Sequence, residues 1–296
     1  MNILIIGSCG FIGSHLYGFF EKNHFVYGVD LIHSTQNKFS LITNNLDGLD
    51  KLFITHSFDV CINASGNGSV PVSMENPFLD FERNTHTVAK ILELIRTLSP
   101  SCKYINLSTA GVYGNPAKLP ISETDKVSPI SPYGFHKYCS ELFCEEYFKI
   151  FGIKTVNLRL FSIYGEKLKK QLFWDIFQKT LVSEQIELYG TGNETRDFIY
   201  IKDLVSAIDC VIKHAAFNGN IINVASGKET AIKEAASIFC SYLGKNIEIT
   251  FNQKTKQGDP VKWRADISIL GTLGFTPHYT INEGLKYTAQ WLKENK

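Results

Sequence analysis

What this sequence lacks first is an excess of charge of either sign. Thirty lysines and arginines stand against 29 aspartates and glutamates, a formal net charge of +1. That balance leaves no electrostatic footprint for nucleic acid or for an anionic membrane surface, so neither is expected as a partner. Paired cysteines are missing as well. Cys9, Cys61, Cys102, Cys139, Cys144, Cys210 and Cys240 are scattered, odd in number and never spaced C-x-x-C. The pattern argues against a disulfide framework and a zinc site, and for a reduced, cytoplasmic protein without a metal. No long apolar run is present: "MNILIIGSCGFIGSH" has no basic segment and is interrupted at Gly7 and Gly10, so it reads as neither signal peptide nor anchor. Internal repeats, low-complexity tracts and Pro/Gly/Ser linkers are also missing. The 296 residues suffice for one large or two modest domains with a proper core, without disulfide or metal staples.

What is present is an alternation. The short apolar runs "NILIIG", "FVYGVD", "FDVCINAS", "KYINLST" and "KTVNLRLF" read as buried parallel strands. Between most of them lie segments of helical periodicity, among them "FIGSHLYGFFEKN", "NTHTVAKILELIRTL" and "YGFHKYCSELFCEEYFKIF". Strand, helix, strand in turn predicts an α/β fold with a doubly wound parallel sheet. After Gly165 the rhythm loosens, and residues 166–296 read as a smaller, partly interleaved α/β lobe following a first domain over 1–165.

The first strand runs into Gly7-Ser8-Cys9-Gly10-Phe11-Ile12-Gly13, spaced G-x-x-G-x-x-G. At a strand-to-helix turn, glycines allow a close backbone approach that a Cβ forbids, and the helix N-terminus then faces a pyrophosphate. Asp30 closes the second strand about twenty residues on, where a carboxylate binds a ribose diol and repels a 2′-phosphate. NAD is therefore expected rather than NADP.

In "ISPYGFHKYCSE", Tyr133 and Lys137 stand four residues apart on a helix that Pro132 can start, so both side chains share one face. The same spacing also describes a solvated pair on a surface helix, and context has to decide. A free phenol titrates near pH 10, so a base at neutrality needs a depression of about three units, ~4 kcal/mol; a nearby ammonium and an oxidised nicotinamide have the right sign. The strand "INLSTAGVYG" ends in Ser108 and Thr109, a hydroxyl source for the same substrate oxygen.

Taken in order, "GSCGFIG", Asp30, "INASG", "SMENPFLDFERNT", "LSTAGVYG", "SPYGFHK", "LRLFSIYGE", "GTGNETRDFIYIKDL" and "GDPVKWRADIS" resemble the extended short-chain dehydrogenases/reductases of the nucleotide-sugar epimerase and dehydratase group, over nearly the whole chain. The resemblance implies a Rossmann domain in which Gly7, Gly10 and Gly13, with Phe11 and Ile12, hold the pyrophosphate of NAD and Asp30 holds its ribose. Ala64 and Ser65 of "INASG" would lie beside the cofactor, and Asn84 would support it. It makes Thr109, Tyr133 and Lys137 the catalytic residues, with Tyr133 and Lys137 also touching the cofactor. Thr109, Ser162, Arg196 and Trp263 would contact substrate, Arg196 on its diphosphate and Trp263 limiting the C2 substituent. The departures are informative. Where the family places an Asp-Ile or Asp-Leu pair against adenine, "SLITNNLDGLDKLF" offers Asn44 and Asn45 and no clean match, and Ser162 replaces a frequent asparagine. Ala110 and Gly111 replace the acidic pair that catalyses loss of water in the dehydratases.

These readings converge on NAD-dependent epimerisation of a nucleotide-linked hexose through a transient 4-keto sugar, resembling UDP-glucose 4-epimerases. A reductase of a nucleotide-linked 4-keto-6-deoxy sugar using NAD(P)H would employ the same three residues. A catalytically inactive NAD(H) sensor would instead show damage at Thr109, Tyr133 or Lys137, and all three are intact. By the same resemblance, the helices Asn84 to Leu98 and Tyr133 to Phe151 could form a four-helix homodimer interface through Val88, Leu92, Ile95, Leu142, Phe143 and Phe148; burial within the monomer is the other reading.

Overall fold

The structure is a computed structural model that describes residues 1–32, 40–42, 46–244, 246–254, 258 and 260–295. Asn44, Asn45 and Asp259 lie outside the described residues. Two compact units emerge. The first comprises Met1–Gly114, Val127–Leu160 and Asp209–Ile222; the second comprises Asn115–Lys126, Phe161–Ile208 and Asn223–Lys296. A division near residue 165 differs from these units by two exchanged segments, because the chain crosses back more than once. The strand spacing of a sequence carries no signal for such returns.

In the first unit the strands are β1 (Asn2–Ile6), β2 (Phe25–Asp30), β3 (Ser40–Ile42), β4 (Val60–Asn63), β5 (Lys103–Thr109) and β6 (Thr155–Leu160). All pairs among these six are parallel. The five longer ones coincide with the apolar runs expected to be strands, and β1, β4 and β6 are almost wholly buried. Burial on both faces is why they read as continuous apolar stretches rather than alternating ones. With β10 (Ile221–Val224) added at one edge, the sheet order is β10-β6-β5-β4-β1-β2-β3. The order reverses between β1 and β4, which makes the sheet doubly wound and puts a crevice beyond the carboxyl ends of these two strands.

Helices α1 (Phe11–Phe20), α2 (Leu49–Thr55), α3 (Val70–Glu75), α4 (Pro77–Phe81), α5 (Thr87–Leu98) and α6 (Pro132–Phe151) complete this unit. Between α4 and α5 the chain makes a π-helical turn, Glu82–His86, and β5 runs into a 3-10 turn, Ala110–Tyr113. Helix α6 starts as its sequence indicates: Ser131 caps it through Gly134 N, and Pro132 occupies a first-turn position that needs no donor. It ends at Gly152, whose φ of 70° is left-handed. Val88, Leu92 and Ile95 of α5 are buried in the core with Leu4, Ile6, Cys61 and Tyr104. Val88, Leu92 and Ile95 are therefore internal, and an outward stripe runs along α6 through Phe135, Leu142 and Ile150.

In the second unit β7 (Ser162–Tyr164), β9 (Thr195–Tyr200) and β11 (Glu229–Ala231) form a three-stranded sheet, and β8 (Gln185–Leu188) pairs with β12 (Glu248–Phe251). Its helices are α7 (Gln171–Val182), α9 (Ile232–Leu243), α10 (Ser268–Thr272) and α11 (Ile281–Glu294). Helix α11 opens with a reciprocal capping box between Thr280 and Glu283. Helix α8 (Ile201–His214) and strand β10 each begin in one unit and end in the other. Among the described residues no helix is long and apolar enough to cross a membrane, and no cluster of metal-ligating side chains occurs.

Candidate active site

The glycine loop lies at the sheet's reversal point, and steric geometry separates the duties of its three glycines. A Cβ on Gly13 would stand 2.0 Å from Gly7 O, and one on Gly7 would stand 2.7 Å from the Ala64 carbonyl and Ser65 N. Gly7 also has a φ of +83°. These two glycines let α1 and the β4 loop close upon the end of β1. At Gly10 a Cβ would come no nearer than 3.3 Å to Gly7 O, and its φ of −69° suits any residue. The fold therefore constrains position 10 less than positions 7 and 13, although 3.3 Å from a backbone oxygen is still a tight contact for a Cβ. No side chain caps that terminus, and Phe11 and Ile12 form its first turn.

Asp30, at the end of β2, receives Cys9 N at 2.7 Å through one carboxylate oxygen and Leu31 N at 2.7 Å through the other. It therefore holds the glycine loop as well as facing it, and each oxygen keeps lone-pair capacity for a diol. The β4 loop is fixed from two sides. Asn63 Oδ1 accepts from Ser65 N and Oγ, at 3.1 and 2.6 Å, and Ala64 N donates to Ile6 O at 2.8 Å. Asn84, in the π-helical turn, donates to Asn67 O at 3.2 Å and accepts from Asn67 N at 3.3 Å. An open glycine cradle, an uncapped helix start and a diol-facing carboxylate meet at one sheet reversal, and this donor set fits a dinucleotide.

Thr109 ends β5 and Tyr133 and Lys137 begin α6, so the first unit alone brings the three together. Gly111 N donates to Thr109 Oγ1 at 3.1 Å, which leaves the hydroxyl hydrogen to act on the phenol of Tyr133. Burial pushes the Tyr133 phenol up to about 12; the Thr109 hydrogen bond pulls it down and the charge of Asp80 adds to the rise. Lys137 Nζ donates to Leu107 O at 2.9 Å, and burial lowers this ammonium to about 8 against the opposing pull of Asp80. The sequence led us to expect a correction of about three units for the phenol, supplied by Lys137 and an oxidised nicotinamide; from about 12, the way down to neutrality is about five units, ~7 kcal/mol. The larger figure arises because the phenol is withdrawn from water, and the nearest group working downwards is Thr109.

Two features beneath these residues were not anticipated. Ser108 donates to Glu141 Oε1 at 2.5 Å, and Glu141 takes Arg159 Nη2 at 2.7 Å in an ion pair that is 3% and 1% exposed. Arg159 also lies 4.6 Å over the ring of Tyr113. Tyr133, Lys137 and Glu141 share one helix face by their spacing, the signal that could have revealed Glu141. The second is Asp80, whose Oδ1 accepts from Asn84 Nδ2 at 3.0 Å while Oδ2 lies 2.7 Å from His136 Nδ1.

The remaining expected site residues belong to the second unit. Arg196, in β9, lies 5.7 Å from the Trp263 ring centroid, and its Nη1 donates to Thr195 O at 2.8 Å. Trp263 is 9% exposed and meets Phe161 edge to face at 5.8 Å. Ser162 opens β7, in register with Phe198 of β9.

The sequence matches the family described as the NAD dependent epimerase/dehydratase family over residues 3–225, most of the chain. The chain belongs to this family. It is 29% identical to a UDP-glucuronate 4-epimerase of Thermodesulfobacterium geofontis over 315 residues, 99% of this chain and 96% of the relative. Its structure resembles the UDP-glucuronic acid 4-epimerase of Bacillus cereus solved with UDP-glucuronic acid and NAD: TM-score 0.92, 27% identity, 100% of each chain. It also resembles the UDP-glucose 4-epimerase of Thermotoga maritima solved with UDP-glucose: TM-score 0.91, 26% identity, 100% of this chain and 99% of the other.

Proposed function

We propose that this family member is an NAD-dependent 4-epimerase of a nucleoside-diphosphate hexose, with UDP-hexoses as the first substrates to test. NAD⁺ when bound supplies a hydride acceptor that can later return the hydride. Gly7, Gly10, Gly13, Phe11, Ile12, Asp30, Ala64, Ser65 and Asn84 would hold it, together with Tyr133 and Lys137. The observation that carries the reading is the convergence of Thr109 at the end of β5 with Tyr133 and buried Lys137 at the start of α6, on a sheet whose glycine loop fits a dinucleotide. Tyr133 takes the proton of the C4 hydroxyl, Thr109 stabilises the phenolate by donating to it, and Lys137 contributes a positive charge. Once the hexose has become a 4-keto sugar it turns about its diphosphate link, so that the hydride would return to the other face of C4 while Tyr133 gives the proton back to the C4 oxygen. Ala110 and Gly111 carry no acid or base, which fits epimerisation and disfavours elimination of water.

The same proposal gives Arg196 the substrate's diphosphate, a geometry to which a guanidinium is suited. Trp263, packed against Arg196, would restrict the C2 substituent, with Ser162 as a further contact. It also takes the protein to be a cytoplasmic homodimer joined through the exposed α6 stripe of Phe135, Leu142 and Ile150. The test is to denature freshly purified protein, identify the released nucleotide by mass spectrometry and assay UDP-hexose interconversion. Stoichiometric NAD⁺ or NADH with C4 inversion is expected. An empty protein that takes NADPH only on addition and reduces 4-keto sugars would overturn the proposal.

A further inference from the structure

A buried carboxylate that the proposed chemistry does not use lies one residue from Arg196. Asp197, on β9, has no exposed surface, and its two oxygens hold two separate segments of the second unit. Oδ1 accepts from Ser226 N at 2.9 Å and from Ser226 Oγ at 2.8 Å, while Oδ2 accepts from Ala265 N at 3.0 Å. The Ala265 bond continues a ladder. Thr195 N donates to Val261 O at 3.0 Å and Trp263 N donates to Thr195 O at 3.2 Å, so the stretch begins along β9 as a neighbouring strand would. Two residues past Trp263, the amide of Ala265 goes to the Asp197 side chain. The same stretch is also held by Ile121, whose N donates to Arg264 O and whose O accepts from Asp266 N, both at 2.8 Å.

We propose that Asp197 is a positioning residue for substrate binding: its carboxylate fixes the stretch from Val261 to Ala265 against β9, so that Trp263 and Arg196 stand in their binding geometry before substrate arrives. The inference rests on the proposed assignment of those two side chains to the substrate. The Trp263 backbone is pinned at Thr195, its ring meets Phe161 edge to face at 5.8 Å, and the Arg196 guanidinium lies 5.7 Å from its centroid. Asp197 anchors both ends of this arrangement, being adjacent to Arg196 in β9 and bonded two residues beyond Trp263. Side chains ordered beforehand lose less freedom on binding, so the gain is one of affinity.

The donor set calls for an acid at this position. Two backbone amides and one hydroxyl converge on Asp197, and they require an acceptor at each of its oxygens. Burial raises the carboxyl to about 6, while the bonds from Ala265 and Ser226 lower it, so at neutral pH the group is ionised and only accepts. An asparagine would put an N–H where one oxygen stands, and the bonds to Ser226 and to Ala265 could not both be kept.

The test compares NAD-loaded wild type with Asp197→Asn by calorimetric titration of UDP, by UDP-hexose kinetics and by acrylamide quenching of Trp263. The quenching is read as the difference from the same protein carrying Trp263→Phe. The variant should bind UDP about tenfold more weakly and show a KM raised by the same factor, with kcat and NAD content unchanged. Trp263, 9% exposed in the wild type, should become more open to the quencher. A folded variant with unchanged UDP affinity and unchanged quenching would overturn the proposal. So would a lower melting temperature with nothing else moved, the signature of a purely structural carboxylate. Should Asp197→Asn not fold, hydrogen exchange of the wild-type Ala265 amide decides: slow exchange without UDP supports the proposal, and protection that comes only with UDP overturns it. A wild-type protein that turns over no UDP-hexose would count against the proposed function, and the quenching then decides whether Asp197 fixes Trp263.

Discussion

Tyr133 is the residue on which the proposed chemistry depends, and its phenol stands far from the form in which it would work. Burial holds it at about 12, so a base at neutral pH has to be made by donors and cations around it. Tyr133→Phe should keep the fold and lower kcat by about 10²- to 10⁴-fold, the usual worth of a positioned acid-base group. Thr109→Ala removes the hydroxyl that pulls the phenol down. It should cost about tenfold in kcat, near the worth of one hydrogen bond, and move the acid limb of the rate profile to higher pH, since an unsupported phenol ionises later. An unmoved limb in Thr109→Ala would show that the hydroxyl serves substrate alone.

At the scale of elements, the glycine loop makes a prediction that separates folding from binding. Gly10→Ala should fold with a stability change under about 1 kcal/mol, yet lose most NAD affinity by isothermal titration, because the new methyl stands at the N-terminus of α1, where the proposed cofactor would approach. Gly13→Ala places a methyl against Gly7 O, an overpacking worth about 1–3 kcal/mol, and should lower the melting temperature before binding is considered. Equal behaviour of the two variants would refute the division of labour. Beneath the site, Glu141→Gln would leave the Arg159 guanidinium buried without its partner, at a cost of about 3–5 kcal/mol read from denaturant unfolding.

These elements also show where reading the chain stops. The glycine loop, Asp30 and the Tyr133–Lys137 spacing are local patterns, and local patterns survive in one dimension. The five long strands were legible because each is mostly buried and built around Val, Ile, Leu and aromatic residues. Short β3 carried no such signal, and β10 joins the sheet as its edge strand from far along the chain. Asp80 with His136, and Glu141 with Arg159, join residues 56 and 18 positions apart. Their partnership depends on how α4, α6 and β6 pack, which no spacing rule encodes. The apolar residues of α5 looked equally suited to an interface or a core, and only packing distinguishes them.

At the scale of the whole molecule, the exposed stripe of Phe135, Leu142 and Ile150 is the face through which the proposed homodimer would form. Light scattering at micromolar concentration should give twice the chain mass, and Leu142→Glu should give the chain mass with the fold intact by circular dichroism. A wild-type monomer would remove the dimer from the account. The central claim is broader: the same hydride leaves C4 and comes back to it without leaving the protein. The most direct test is a UDP-hexose labelled with deuterium at C4, incubated with the purified protein and recovered as its C4 epimer for mass spectrometry. The account expects the epimer to retain the deuterium. Loss of the label, or release of a reduced or dehydrated sugar in place of the epimer, would contradict it.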